Sequence, residues 1–156
     1  MSFTPDQVDL ALLAALREDG RRSITALAEQ LHVSRSAVHQ RLDGLREAGA
    51  LQGFSPRVDA SKLGASVSAF VLLSAGPGAR LEMEPLREQL LGLPHVEYAA
   101  LMTGDADVLL LVRVADLDQL RTFLLEDLRA VSGLRGTLTL LVLDEVINRP
   151  FLLPGE

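Results

Sequence analysis

The sequence predicts an α+β protein of two small units, and three observations carry that reading. Residues 5–49 keep a helical period, with Leu10, Leu13 and Leu16 on one apolar stripe, Ile24, Leu27, Ala28 and Leu31 on a second, and Val38, Leu42 and Leu45 on a third. From about residue 66, strand-like apolar runs alternate with helical ones in the order strand, helix, strand, strand, helix, strand. Between the two, LQGFSPRVDASKLG holds Gly53, Pro56 and Gly64 and no helical stripe, which is the composition of a connector. A chain of 156 residues has room for one medium domain or two small ones, and no internal repeat is evident.

The breaks in the first unit use recognisable chemistry. Asp19-Gly20 ends the first helix, Val33-Ser34 separates the second from the third with Ser34 as N-cap, and Gly49 ends the third. The second and third helices are joined so tightly that they must cross, and the small Ala28 allows a close approach. With the connector as wing, the pattern is a winged helix-turn-helix. His32 occupies the turn position where Gly often stands, and His is among the residues that better tolerate a positive φ there.

Off its apolar stripe the third helix carries Arg35, Ser36, His39, Gln40, Arg41 and Asp43. Arg suits guanine or phosphate, Gln suits adenine and Ser either base, so this face suits a major groove. Residues 34–46 hold three arginines against Asp43, a formal +2, whereas residues 1–53 hold six basic and seven acidic residues, a formal −1. Arg21, Arg22 and Arg46, with Arg57 from the wing, flank this helix in sequence and are the phosphate candidates. Any amphipathic helix has a polar outer face. The three-helix pattern as a whole therefore carries the double-stranded DNA reading, more than any one side chain.

The second unit runs SVSAFVLLSAG, MEPLREQLLGL, VEYAALMT, DVLLLVRV, DLDQLRTFLLEDLRAV and TLTLLVLDEVI. That order, βαββαβ, predicts a ferredoxin-like fold of two split βαβ halves around one antiparallel sheet. The expected boundaries are 1–53 for the winged helix-turn-helix, 54–65 for a wing or linker with a short strand, and 66–156 for the ferredoxin-like domain.

Composition removes several function classes. With no cysteine there is no disulfide, thiolate zinc site or cysteine nucleophile, and His32, His39 and His95 are too scattered for a histidine-rich metal site. No metal or cofactor is expected. Arg113 interrupts the longest apolar run, so no stretch reaches the roughly 18 uncharged residues of a membrane span. The opening MSFTPDQVDL has no basic-then-apolar signal, and a cytoplasmic location is expected. A net charge of −6 offers no general attraction to nucleic acid, so DNA binding must rest on a local patch.

MTGDADVLLLVRV, residues 102–114, sets Asp105 and Asp107 before a core strand. An acid/base dyad needs two carboxylates in different environments, and here the two lie two residues apart with no nucleophile or phosphate loop elsewhere. A hard-cation site lacks further clustered ligands. Two readings stay open: a two-residue Gly104-Asp105 hairpin turn with Asp107 capping the strand, or a small-ligand contact. Arg113 shares a strand face with Asp107 by parity and is either a sheet-surface charge or an inter-subunit partner. Glu82, Glu84 and Glu88 suit the start and solvent face of a helix, and Asp144 and Glu145 a strand end.

The order of the units, with VDLALLAALREDGR, LAEQLHVSRSAVHQRLDGLREAGALQGF, the Gly-Asp-x-Asp phrase in GDADVLLLVRV, and TLTLLVLDEV, resembles the Lrp/AsnC, or feast/famine, family of transcriptional regulators. The resemblance runs from about Val8 to Ile147. It implies a regulator that dimerises through its ferredoxin-like domains, commonly builds a disc-like octamer, and binds a small effector, often an amino acid, between those domains. The family's ligand loop falls on Met102, Thr103, Gly104, Asp105 and Asp107. Gly104 would give backbone access for the carboxylate of a zwitterion and Asp107 an anion for its ammonium, with Thr137 or Thr139 adding a hydroxyl. A two-fold assembly favours an inverted-repeat operator with half-sites one or more helical turns apart, and avidity raises a weak single-domain affinity. Two other functions share this build. One is tetrapyrrole decarboxylation through histidines of the second domain, where only His95 stands here. The other is a ligand-sensing assembly module that no longer binds DNA, which the overall acidity leaves open.

Overall fold

The computed structural model of the protein describes residues 3–75, 86, 88–90, 92–131, 133–146 and 148–154. Contacts divide the chain into two compact units, Met1–Arg57 with Val146–Glu156, and Val58–Glu145.

The first unit is built from α1 (Gln7–Glu18), α2 (Ile24–Leu31) and α3 (Arg35–Glu47). Each start is capped by its own side chain. Asp6 accepts from the Asp9 N–H, Ser23 from Ala26 and Ser34 from Ala37, satisfying donors that a helix leaves unpaired. His32 ends α2 with φ 54°, the left-handed conformation expected of the turn. Gly49, at φ 71°, ends α3 as its N–H reaches back to the Arg46 carbonyl at 2.9 Å. Leu12, Ala15, Leu27, Ala28, Val38, Leu42 and Leu45 form the buried core, which agrees with the second and third stripes of the sequence. In α1 the expected stripe Leu10, Leu13 and Leu16 is only half-buried. The face that enters the core is that of Leu12 and Ala15, because α1 packs on two helices and buries a face set by their crossing.

Two further features of this unit differ from expectation. The connector contains no strand among its described residues. Pro56 lacks a ladder donor, and Asp59 instead nucleates a 3-10 turn, Ala60–Leu63, by accepting from the Ser61 N–H at 3.0 Å. The Ser61 hydroxyl also donates to Asp59, at 2.6 Å, and this contact is the main reason the Asp59 carboxyl is held below its usual range. The C-terminal tail, expected with the second domain, packs with the first unit. Arg17 of α1 donates to the Phe151 carbonyl at 3.1 Å and lies 5.5 Å above the Phe151 ring, a cation–π contact that no local pattern announces.

The second unit is a four-stranded antiparallel sheet of β1 (Val67–Ala75), β2 (Val96–Leu101), β3 (Val108–Val114) and β4 (Leu134–Leu141), in the order β2-β3-β1-β4. This is the ferredoxin-like arrangement. The first crossover helix, expected over 83–93, lies largely outside the described residues; Leu86 and Glu88–Leu90 are helical. The second, α4 (Leu117–Leu125), is shorter than the run 116–131 suggests because a 3-10 turn, Asp127–Ala130, follows it. The last strand is displaced from the expected 137–147. A register shift at Ser74/Ala75 lets Leu134–Gly136 pair with the end of β1, and the ladder ends near Leu141.

Strand parity separates the two sheet faces. Ala69, Val71, Leu73, Val108, Leu110, Val112 and Val114 point to the helices and, with Leu120 and Phe123, form a buried core. The partners on the opposite face are Phe70 with Leu111 and Leu140, Leu72 with Leu109 and Leu138, and Tyr98 with Leu111. On that face Tyr98, Leu138 and Leu140 are 56%, 56% and 48% exposed.

Candidate DNA interface and ligand loop

The helix-turn-helix presents α3 along one side of the first unit. Val38, Leu42 and Leu45 are buried beneath it, while Arg35, Ser36, His39, Gln40, Asp43 and Arg46 are exposed. Arg35, His39 and Gln40 make no side-chain hydrogen bond or ion pair with any described residue, and the Ser36 hydroxyl lies 2.9 Å from that of Ser34. This array combines a cation, an amide, an imidazole and a hydroxyl, the donor and acceptor set that base edges in a major groove require. Arg46 instead pairs with Asp43 at 3.3 Å, and Arg22 pairs with Glu18 at 3.7 Å and donates to Gln30. Arg21 and Arg57 are both exposed, and their side chains have no described partner.

Arg41 is set apart from the rest of the helix. Its guanidinium lies 2.7 Å from Asp6 and 2.7 Å from Asp9, both at the start of α1. The hydrogen bonds to Asp6 and Asp9, in that order, raise the Arg41 pKa. The Asp6 carboxyl is held below its usual value, first by the backbone N–H of Asp9 and then by Arg41. Sequence gave no sign of this pairing, because its partners stand 35 and 32 residues away.

In the second unit the expected ligand residues gather at one end of the sheet. Met102–Asp107 is a six-residue connection between β2 and β3, longer than a two-residue hairpin turn. Its base is closed by the Met102 N–H donating to the Asp107 carbonyl at 2.8 Å. The Asp107 N–H donates to Leu73 O at 2.9 Å, and the Ser74 hydroxyl to Asp105 O at 3.1 Å, so both aspartates are tied by backbone to the end of β1. Gly104 has φ 131°, which a side chain would strain, and Thr103, Gly104 and Asp105 are exposed while Met102 and Asp107 are half-buried. Leu73 pairs with Val108 on one side and Thr137 on the other, so Thr137 stands two strand spacings, roughly 10 Å, from the foot of the loop. Thr139, opposite Val71, is one step further along β4 on the same face.

Arg113 sits on the open sheet face opposite Ser68, whose hydroxyl accepts from it at 2.7 Å. It also pairs with Glu97 and, at 2.9 Å, with Glu145, and these carboxylates, Glu97 foremost, raise its pKa. His95, the histidine of this unit, is exposed with φ 64°, and its Nε2 lies 3.3 Å from the Gln119 amide nitrogen. Among the described residues, no group of three His, Cys, Asp or Glu side chains is clustered to hold a metal ion. No described helix is long and apolar enough to cross a membrane.

A capped helix-turn-helix joined to a ferredoxin-like unit with a glycine-containing loop at one sheet end defines a ligand-responsive DNA-binding regulator. Family comparison agrees for both halves: an AsnC-type helix-turn-helix domain matches residues 6–46 and an Lrp/AsnC ligand binding domain matches residues 68–152. The chain belongs to the Lrp/AsnC family of transcriptional regulators. It is 33% identical to the Bkd operon transcriptional regulator of Pseudomonas aeruginosa, over 92% of this chain and 94% of that one. It is 32% identical to an uncharacterized HTH-type transcriptional regulator of Pyrococcus abyssi, over 86% and 83%. Among solved structures, AsnC of E. coli superposes with TM-score 0.84 at 26% identity, covering 96% of this chain and 99% of that one. The regulator NMB0573 of Neisseria meningitidis, solved with L-Met, gives TM-score 0.85 at 26% identity and 96% coverage of both chains.

Proposed function

We propose that α3 reads an inverted-repeat operator through Arg35, Ser36, His39 and Gln40, and that an amino acid or similar zwitterion bound at the Met102–Asp107 loop alters assembly or DNA affinity. The observation that carries this reading is the exposed polar face of α3, held on a separately cored unit in a chain whose other half is a ligand-binding domain. Arg21, Arg22, Arg46 and Arg57 supply phosphate contacts, which fix register without reading sequence. The solved Neisseria relative with L-Met supports an amino-acid effector. Gly104 opens the backbone to a carboxylate, Asp107 faces an ammonium, and Thr137 or Thr139 adds a hydroxyl.

The open sheet face pairs with a second copy. Its leucines and Tyr98 form the kind of contiguous apolar patch that marks an association surface. Dimers then assemble further, to an octamer, and work in the cytoplasm by binding rather than catalysis. Selection of bound fragments from genomic DNA at moderate salt, with and without a panel of amino acids, tests the reading. It predicts enriched fragments carrying inverted half-sites whose retention changes with one class of amino acid; no enrichment in any condition refutes it.

A further inference from the structure

In sequence Arg41 stands among the side chains that suit a major groove, yet its surroundings give it another task. Leu12 and Ala15 of α1 share one buried core with Val38, Leu42 and Leu45 of α3, and apolar packing of this kind holds the helices together without fixing their rotation sharply. Arg41 adds a directional tie between the same two helices. Its Nη1 donates to Asp6 Oδ2 and Asp9 Oδ1, both at 2.7 Å. The remaining oxygens of the same carboxylates form the capping box of α1. Asp6 Oδ1 accepts from the Asp9 N–H at 2.8 Å and Asp9 Oδ2 from the Asp6 N–H at 3.0 Å. Each carboxylate thus divides its oxygens between the helix start and Arg41. Asp9 is the buried charged residue among those described, at 8% exposure, and a buried carboxylate deprived of its cation is strongly destabilised.

We propose that Arg41 is a positioning residue for DNA recognition and not a phosphate contact: it locks the rotation of α3 to the capped start of α1, leaving the reading to Arg35, Ser36, His39 and Gln40. The inference rests on the reading that α3 enters a major groove. A phosphate approaching the Nη2 and Nε donors that Asp6 and Asp9 leave open would be repelled by both carboxylates. Successive helix residues are about 100° apart, so even a small rotation of α3 redirects its side chains relative to base edges. With Arg41 tied to α1 and Arg46 to Asp43, Arg35 is the α3 arginine without a described partner. The formal +2 counted over residues 34–46 therefore overstates the charge offered to DNA.

The test compares full-length wild type with Arg41→Ala, Asp9→Asn and Arg35→Ala, on a random-sequence 30-base-pair duplex pool and on a fragment enriched by the wild type. Affinities are measured across a salt series beside thermal melts. A phosphate contact contributes about one unit to the slope of log affinity against log salt, and a positioning residue contributes none. For Arg41→Ala the expected result is an unchanged salt slope, random-duplex affinity within about twofold, and an enriched-to-random ratio reduced about tenfold. Asp9→Asn keeps an acceptor for the Asp6 N–H but loses the ionic partner, so it reproduces the loss of ratio, and Arg41→Ala combined with Asp9→Asn loses no more than either alone. It also decides the question if Arg41→Ala fails to fold. A salt slope lowered by about one in Arg41→Ala with the ratio intact, or tighter random-duplex binding by Asp9→Asn, overturns the proposal while Arg35→Ala still weakens the enriched fragment. Failure of wild type to bind either duplex overturns the DNA reading and the proposal with it.

Discussion

The first unit closes its core within one chain, whereas the second leaves half of its sheet bare. In the first, three capped helices enclose seven buried apolar residues, and the outer face of α3 is polar. In the second, β1 and β3 bury one face completely under helices while Phe70, Leu72, Leu109, Leu138 and Leu140 line the other. The difference fits the proposed division of work, in which the first unit presents chemistry for DNA and the open sheet face of the second pairs with a second copy. The loop proposed to hold the effector, Met102–Asp107, stands at the end of that same sheet.

The largest effect expected of any change belongs to the covered face. Phe123 is fully buried beneath the sheet, so Phe123→Ala costs the second unit about 3–5 kcal/mol, read as a lowered denaturation midpoint. On the bare face the same kind of perturbation acts differently. Leu138→Glu with Leu140→Glu changes monomer stability by only about 0.5 kcal/mol per site, because both side chains are already half-exposed, but it dissociates the assembly. Light scattering checks this: a mass unchanged from wild type removes the face from the interface. A still smaller change, Arg35→Ala, weakens the enriched fragment about tenfold and leaves the mass unaltered. Asp107→Asn removes the effector response and spares ligand-free DNA binding; equal damage to both functions shows that Asp107 only shapes the loop.

The smallest expected effect is that of pH on the first unit. The folded pKa of Asp6 lies below its unfolded value, chiefly because of the Asp9 N–H and next because of Arg41. Its stabilising contribution is therefore complete above about pH 5 and fades as pH falls through the folded value, below about 4. Melts of wild type against Asp6→Asn between about pH 3 and 7 should converge at the acid end.

Much of this was legible because local chemistry decides it. Ser34 as N-cap, the positive φ of His32 and the apolar stripes of α2 and α3 follow from neighbours within one helical turn, and the core face of β3 follows from parity, whereas the buried face of α1 is set by helices elsewhere in the chain. What escaped depends on residues far apart. Arg41 meets Asp6 and Asp9 only after α3 has folded back on α1, and Arg17 meets Phe151 across 134 positions. The early start of β4 at Leu134 depends on a register shift against β1, since Arg135 and Gly136 alone suggest a loop. The acidic pair Asp105 and Asp107 was correctly placed beside a strand, but the six-residue length of its loop was set by the pairing of β2 with β3.

The proposal that the DNA reader depends on a paired sheet is tested by one titration. The enriched fragment is titrated with wild type and with the Leu138→Glu, Leu140→Glu variant, after circular dichroism shows both folded. Two readers held on one two-fold fragment bind by avidity, so the account predicts affinity at least about a hundredfold weaker for the variant on the whole fragment and equal affinities on a single half-site. Equal affinities on the whole fragment would contradict it.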